Sequence, residues 1–204
     1  MGKSFLDKAY AARDAASTRR LYDDWAESYD SEVTGQGYAT PARCAEALAR
    51  FSTDRTRPIL DFGCGTGLSG KALAEAGFTA IDGCDPSPDM LKEAEAKGVY
   101  RTLTPIDADG ALPHDLSSYA AIAAIGVIGA GAAPISVFDT LMRGLARDAL
   151  LVFSFNDHAL AEKQNEGRVS EWLDCGAGQL LFREHGPHLP GLDLGSNVYV
   201  IRKS

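Results

Sequence analysis

The segment Pro58-Ile59-Leu60-Asp61-Phe62-Gly63-Cys64-Gly65-Thr66-Gly67 constrains this chain more than any other. Ile59 to Phe62 is an apolar run of strand character. It breaks into three glycines spaced two apart, after which Leu68, Ala72, Leu73 and Ala76 recur at helical spacing. Glycine is needed where a chain leaves a buried strand, turns with little room for Cβ and lets a ligand approach its backbone. Strand, tight loop and helix N-terminus in that order place a nucleoside-like ligand at the carboxyl edge of an open α/β sheet. The loop departs from the phosphate-binding pattern G-x-G-x-x-G, because its sixth position is Leu68 and an acid, Asp61, stands two residues before the first glycine. An anionic side chain there suits a ligand carrying an ammonium or sulfonium group better than a pyrophosphate. Asp61, Gly63, Cys64, Gly65 and Gly67 are therefore the first candidate binding residues.

A second acid follows at a telling distance. After the helix stops at Gly77, Phe78 to Cys84 reads as a strand ending in Asp85-Pro86-Ser87, and Asp85 lies 18 residues beyond Gly67. A carboxylate at the end of that strand is placed to accept hydrogen bonds from both hydroxyls of a ribose. Asp-Pro also opens turns. Ser87-Pro88-Asp89, however, already supplies an N-cap, a proline at N1 and a first-turn acid for a helix from Met90 to Lys97 closed by Gly98, which leaves Asp85 free for a ligand.

Length and charge narrow the setting. The 204 residues suit one α/β domain, read as an N-terminal arm or helix (1–20) and a single domain (21–204) carrying a helical cap (21–52). At that size roughly 70% of the unfolded chain's surface can be buried. Twenty Lys and Arg against 28 Asp and Glu, a net charge of −8, argue against an extended nucleic-acid footprint. The four cysteines, Cys44, Cys64, Cys84 and Cys175, stand singly without a C-x-x-C, and each reads as a small buried hydrophobe rather than a zinc ligand or half of a disulfide. The N-terminus shows no secretory pattern, and Ala121 to Val127 is too short to span a bilayer. The expectation is a cytoplasmic protein without a membrane partner. His114, His158, His185 and His188 lack ligand spacing, so no metal is expected, and His158, near a strand end, is the one marked for attention.

Ahead of the glycine loop, Leu21 to Asp30 places Tyr22, Trp25 and Tyr29 at i, i+3 and i+7, so a helix there lines three aromatics along one face. Such a stripe can cap the core or face a ligand. Thr34 to Tyr38 breaks the pattern, and Thr40 before Pro41 reads as an N-cap with proline at N1 for a helix through Phe51.

Asp61-Phe62-Gly63-Cys64-Gly65-Thr66-Gly67, with Gly83-Cys84-Asp85-Pro86-Ser87 and Met90-Leu91, resembles the class I methyltransferases that use S-adenosylmethionine. The opening that contains Tyr22-Asp23, Trp25, Tyr29-Asp30, Gly37-Tyr38 and Pro41 resembles a narrower branch, the small methyltransferase-like proteins related to the Williams-Beuren syndrome region methyltransferase. The resemblance runs from about Leu21 to Lys203. It implies a Rossmann-like, seven-stranded, mostly parallel sheet with a reversed last strand and helices on both faces. It further implies that the glycine loop wraps the methionine end of the cofactor, with Asp61 near its amino nitrogen. Asp85 then holds the ribose, while Pro86, Ser87 and Met90 flank the adenine.

The rest of the chain reads in keeping with that plan. Val99 to Ile106 makes a third strand ending at Asp107-Ala108-Asp109-Gly110, where Asp107 is the candidate for the adenine amine, although such residues also make ordinary turns. Ala120 to Ile128 is a continuous apolar run, as a strand buried on both faces should be. It ends around Gly126, where relatives carry a polar residue near the transferred methyl and this chain has only small groups. A helix from Pro134 to Arg147, a strand from Leu150 to Phe155 and a polar helix from Leu160 to Trp172 follow. Leu180 to Glu184 and Asn197 to Arg202 make the last strands, with His185 to Gly191 too long for a tight hairpin.

Methyl transfer from a sulfonium is an in-line displacement, for which orientation supplies roughly 7–11 kcal/mol without an acid or base. That suits a chain in which no catalytic residue is identifiable. Trp25, Tyr29 and Tyr38 can each attract a cation by about 0.5–2 kcal/mol. The expected activity is S-adenosylmethionine-dependent methyl transfer to a small-molecule acceptor. Two alternatives stand beside it: a regulatory module that binds the cofactor without turnover, and a nucleotide-binding oxidoreductase, against which Leu68 and Asp61 speak.

Overall fold

The computed structural model describes residues 15–107, 115–129 and 132–204, with side chains from residue 20 onward. Its chain runs α1 (Ala15–Gly35), α2 (Thr40–Phe51), β1 (Ile59–Phe62), α3 (Leu68–Glu75), β2 (Ile81–Asp85), α4 (Pro88–Ala96) and β3 (Thr102–Pro105). It continues through β4 (Ala121–Ala124), α5 (Ser136–Gly144), β5 (Leu150–Asn156), α6 (Asp157–Ala161), α7 (Lys163–Asp174), β6 (Gly178–Leu189) and β7 (Leu194–Lys203). The strands form one sheet in the order β3-β2-β1-β4-β5-β7-β6. β1 to β5 pair in parallel, and β7 lies antiparallel to both β5 and β6. The seven-stranded, mostly parallel sheet expected from the sequence is present, and β7 is its reversed strand.

Period-two burial explains the layers. On β5, Leu151, Phe153 and Phe155 face a core shared with Phe138, Leu141 and Met142 of α5, and Leu150 and Val152 face the opposite core with Leu48 of α2 and Leu73 of α3. Ile122 and Ala124 of β4 side with the first core, Ala121 and Ala123 with the second. Both faces are covered, which is why these strands lack polar alternation. A third, smaller cluster of Trp25, Val33 and Leu189 joins α1 to the end of β6.

Several boundaries differ from the sequence reading. β2 begins at Ile81, because the Phe78 N–H is used to close α3 onto Leu73 O at 3.1 Å. β3 is only Thr102–Pro105, β4 stops at Ala124 ahead of the left-handed Gly126, and α5 is Ser136–Gly144. The single helix expected over 160–172 is two, because Glu162 adopts an extended backbone between α6 and α7. Thr40 is not an N-cap: Ala39 holds that position without a side-chain bond, and the Thr40 hydroxyl is drawn to His188 and Ser196. The last two strands do make a hairpin, since residues 185–189 belong to β6 and only Pro190–Asp193 turn. Cys44, Cys64 and Cys84 are buried as expected, whereas Cys175 is exposed. The Ala108-Asp109-Gly110 turn and His114 lie outside the described residues, and no described helix is long and apolar enough to cross a membrane.

Gly70, the glycine of α3, shows how tightly the second core is fitted to the bend. A Cβ at Gly70 would sit 2.1 Å from the Tyr100 hydroxyl, whereas one at Gly167 in α7 meets nothing within 4 Å. Gly70→Ala is expected to lower stability by about 1–3 kcal/mol through overpacking. Gly167→Ala is expected to raise it by roughly 0.5–1 kcal/mol by removing backbone freedom from the unfolded chain. Urea midpoints of the two variants check both signs.

Candidate functional site

The bend after β1 is anchored to the end of β2. Gly63 and Cys64 N–H both donate to Cys84 O, at 2.8 and 3.0 Å. Gly65 N–H donates to Asp85 Oδ2 at 2.9 Å, and Ser87 N–H donates to Asp85 Oδ1, also at 2.9 Å. The backbone has to turn left-handed to do this, with φ of +68° at Gly63 and +52° at Gly65. The two glycines differ in what surrounds them. A Cβ on Gly63 would strike Val127 Cγ2 at 2.6 Å, while a Cβ on Gly65 meets nothing within 4 Å, so the space over Gly65 is open.

Two buried carboxylates flank the bend. Asp61, in mid-strand, is fully buried; its Oδ2 accepts from Ser69 Oγ and from Tyr100 OH, each at 2.7 Å, and its Oδ1 has no hydrogen-bond partner among the described residues. Burial pushes its pKa up to about 6 against the pull of the two hydroxyls, with the nearby Asp85 adding to the rise. Asp85 is also pushed up to about 6 by burial, opposed by the Ser87 and Gly65 amides and assisted by Asp23. An ionised carboxylate has about four acceptor sites. Asp85 uses two of them on the backbone, which leaves two for a ligand.

Helix α1 lies across this bend and α4. Ser87 Oγ donates to Asp23, Thr66 Oγ1 donates to Asp30, and Lys97 Nζ pairs with the other Asp30 oxygen at 2.7 Å. These contacts fix the rotation of α1 so that its aromatic stripe faces inward. Trp25 is 1% exposed, stacked on Tyr22 at 5.9 Å between centroids and met edge-on by Tyr29 at 4.7 Å. The stripe packs a small core, as one of the two sequence readings has it, and it also lines a cavity of about 60 Å³ with Tyr38, Gly126, Asn156 and His188. The Tyr38 hydroxyl stands over Gly126, where a Cβ would be 2.6 Å away, and Gly126 N–H donates to Ser154 Oγ at 2.9 Å.

Around the loop, the expected residues come together as Asp61, Gly63, Cys64, Gly65, Gly67 and Asp85. Cys64 is buried, its thiol pushed well above the usual range, so it contributes backbone and volume rather than a thiolate. Pro86, Ser87 and Met90 sit directly after Asp85. The Ser87 hydroxyl is committed to capping Met90 N–H at 3.1 Å and to Asp23, and Met90 is buried. Asp107 is exposed and follows Ile106, whose N–H donates to Asp85 O at 3.1 Å. His158, marked from the sequence, is exposed and does not line the cavity; the histidine that does is His188, carried in by the longer β6. The sequence reading also missed Ser69 and Tyr100, which hold Asp61. A buried acid in a strand demands hydroxyl or amide partners, and that demand was the available signal.

Comparisons with known proteins agree with the geometry. The family model for a methyltransferase domain matches residues 37–196. Methyltransferase-like protein 27 of Homo sapiens is 31% identical over 136 residues, 65% of this chain and 56% of that protein. The cypemycin N-terminal methyltransferase of a Streptomyces species is 47% identical over 97 residues, 44% of this chain and 36% of that one. The chain thus spans about half, or less, of the length of the curated relatives it matches. Among solved structures, an S-adenosylmethionine dependent methyltransferase from Mesorhizobium loti superposes with a TM-score of 0.57 at 18% identity, over 77% of this chain and 96% of that one, which is a likeness of fold. The glycine bend, the paired acids and a family match over most of the sheet make this chain a member of the class I S-adenosylmethionine-dependent methyltransferases.

Proposed function

We propose that the chain transfers a methyl group from S-adenosylmethionine to a small acceptor held in the aromatic cavity beside Gly126, as a cytoplasmic enzyme. The observation that carries this reading is the Asp85 carboxylate, bound to the Gly65 and Ser87 amides and left with two acceptor sites at the end of β2. The residues present fit the cofactor. Open space over Gly65 admits the methionine end to the loop of Gly63, Cys64, Gly65 and Gly67, and the unpartnered Asp61 Oδ1 suits an amino group. The two spare sites of Asp85 match the two ribose hydroxyls. Pro86, Ser87 and Met90 take the adenine, and Asp107 its amine. Tyr22, Trp25, Tyr29 and Tyr38 close over the reacting end near Gly126 and exclude water.

When bound, the cofactor supplies an electrophilic methyl on a sulfonium. The chain's own contribution is placement: α1 is pinned over the bend by Asp23 and Asp30, and the aromatic faces favour positive charge by about 0.5–2 kcal/mol each. Among the described residues no carboxylate or amine side chain lines the cavity, so orientation carries the rate effect.

The pH dependence follows from the carboxylates. A ribose hydroxyl donates to ionised Asp85, whose pKa is raised to about 6 without ligand, so cofactor affinity should be low at pH 5, climb through pH 6 and level off above pH 7. Asp85→Asn should weaken binding about ten- to hundredfold, as the loss of a charged hydrogen-bond acceptor does. It should also flatten the part of the pH profile that Asp85 contributes; calorimetry across pH 5–8 measures both. Unchanged affinity in the variant would refute the ribose assignment. Turnover itself is read by mass spectrometry as S-adenosylhomocysteine released in the presence of a metabolite extract. Release only in step with the added extract supports an enzyme, and binding without release points to a regulatory module.

A further inference from the structure

The cavity beside Gly126 holds a histidine that the cofactor side of the site does not use. His188 is 7% exposed and lines that cavity, with its ring met edge-on by Tyr38 at 5.3 Å between centroids. Its Nδ1 lies 2.8 Å from Thr40 Oγ1, Thr40 Oγ1 lies 2.9 Å from Ser196 Oγ, and Arg43 Nη1 donates to Ser196 Oγ at 3.0 Å. One placement of the protons satisfies every donor in this chain, with one Arg43 Nη1 hydrogen shared between Ser196 O and Oγ. A guanidinium has no lone pair, so Ser196 Oγ accepts from Arg43 and must place its own proton elsewhere. Ser196 is fully buried, and Thr40 Oγ1 is the acceptor its hydroxyl reaches. Thr40, also fully buried, then donates to His188 Nδ1. The neutral imidazole therefore carries its proton on Nε2, the nitrogen without a hydrogen bond among the described residues.

The groups around the ring keep it neutral. Burial lowers the His188 pKa to about 4; Asp157 opposes this, and Arg43 and His158 act with it. A neutral ring with Nδ1 already accepting is a donor at Nε2 and cannot serve as a base there. Among the described residues, the walls of the cavity carry no Asp, Glu, Lys, Arg or Cys. An acceptor that arrives already ionised needs no base from these walls. Methylating a neutral amine would only move the positive charge from sulfur to nitrogen, and such an amine would first have to arrive unprotonated. An ionised oxygen meets no such obstacle. Its lone pair forms the new O–C bond, the C–S electron pair leaves with sulfur, and the two opposite charges cancel, a change that a low-dielectric site favours. The volume of about 60 Å³ has room for a few heavy atoms, enough for a carboxylate on a short stem.

We propose that His188 is the specificity-determining residue of the acceptor pocket: its Nε2–H, held by the Arg43–Ser196–Thr40 chain, donates to one oxygen of a carboxylate and leaves the other to attack. The pocket accordingly takes small carboxylates in preference to ammonium ions, which accept no hydrogen bond from Nε2–H and have no lone pair to attack with. The assignment rests on the methyltransferase reading of the cavity, but the tautomer does not.

The test is long-range proton–nitrogen correlation on protein with nitrogen-15 histidine, alone and saturated with S-adenosylhomocysteine. His188 should show the Nε2–H pattern from pH 5.5 to 8. Propionate should shift its nitrogens and bind at least about tenfold more tightly than propylammonium. Thr40→Val should release the ring into a mixture of tautomers and reduce that preference at least threefold, with Ser196→Ala as the second variant should the first not fold. An Nδ1–H pattern, titration near pH 6.5, or an equal or reversed response to the two ions overturns the proposal. Failure of S-adenosylhomocysteine to bind in calorimetry overturns the methyltransferase reading instead, and the tautomer is still read in the unliganded protein.

Discussion

The carboxylate of Asp85 holds the site together before any ligand arrives. Its two oxygens take the amides of Gly65 and Ser87, so one side chain sets the distance between the bend after β1 and the start of α4. Backbone amides that turn away from a sheet have lost their ladder partners and need acceptors. An acid at the end of the neighbouring strand provides them and is desolvated in the process, which raises its pKa. The resulting group is strained electrostatically rather than sterically. A ligand that donates to it, or brings positive charge close to it, relieves the cost that folding left in place.

The two halves of the site are built differently. The glycine bend and its acids are held by contacts close in sequence on neighbouring parallel strands, mostly within residues 61–97. The aromatic cavity gathers α1, the segment after β4 and the β6–β7 hairpin, which no short segment can specify. Asp139 shows that the chain also uses buried acids for structure alone. It takes the Arg168 guanidinium through bonds of 2.7 to 2.9 Å and the Trp172 indole at 2.7 Å, tying α5 to α7. Its carboxyl is held below the usual range by those donors despite partial burial, the reverse of Asp61 and Asp85.

This division explains what could be read from the sequence. Ser87, Pro88 and Asp89 announced α4 because capping is local, and Asp85 was legible because its distance from the loop is set by one helix and one strand. Ile59 to Phe62 announced β1 because an apolar run flanked by glycines has few alternatives. His188 was not legible, because its partner Thr40 lies 148 residues earlier and the sequence reading treated 185–191 as loop. β6 runs on through Gly186 and Pro187 because its ladder to β7 continues to Leu189, with irregularities at Leu180–Phe182 and Pro187–Leu189. Thr40 misled in the same way: a threonine before a proline is a cap by local rules, and a distant imidazole outbid them. The aromatic stripe of α1 was ambiguous from sequence because it both packs a small core and lines a cavity.

Arg43 brings the two halves into register. From α2, its guanidinium donates to the carbonyls of Glu184, Pro187 and Ser196, so it reaches both strands of the closing hairpin. The same helix packs its apolar side under β5 through Leu48. α2 is thus a common mount on which the terminal ribbon hangs and against which the parallel sheet rests. Residues can be exchanged at the ribbon's tip, and the wall of the cavity beside Gly126 reshaped, without moving the bend that Asp85 holds. A scaffold jointed in this fashion can change what it modifies while keeping the donor it draws from.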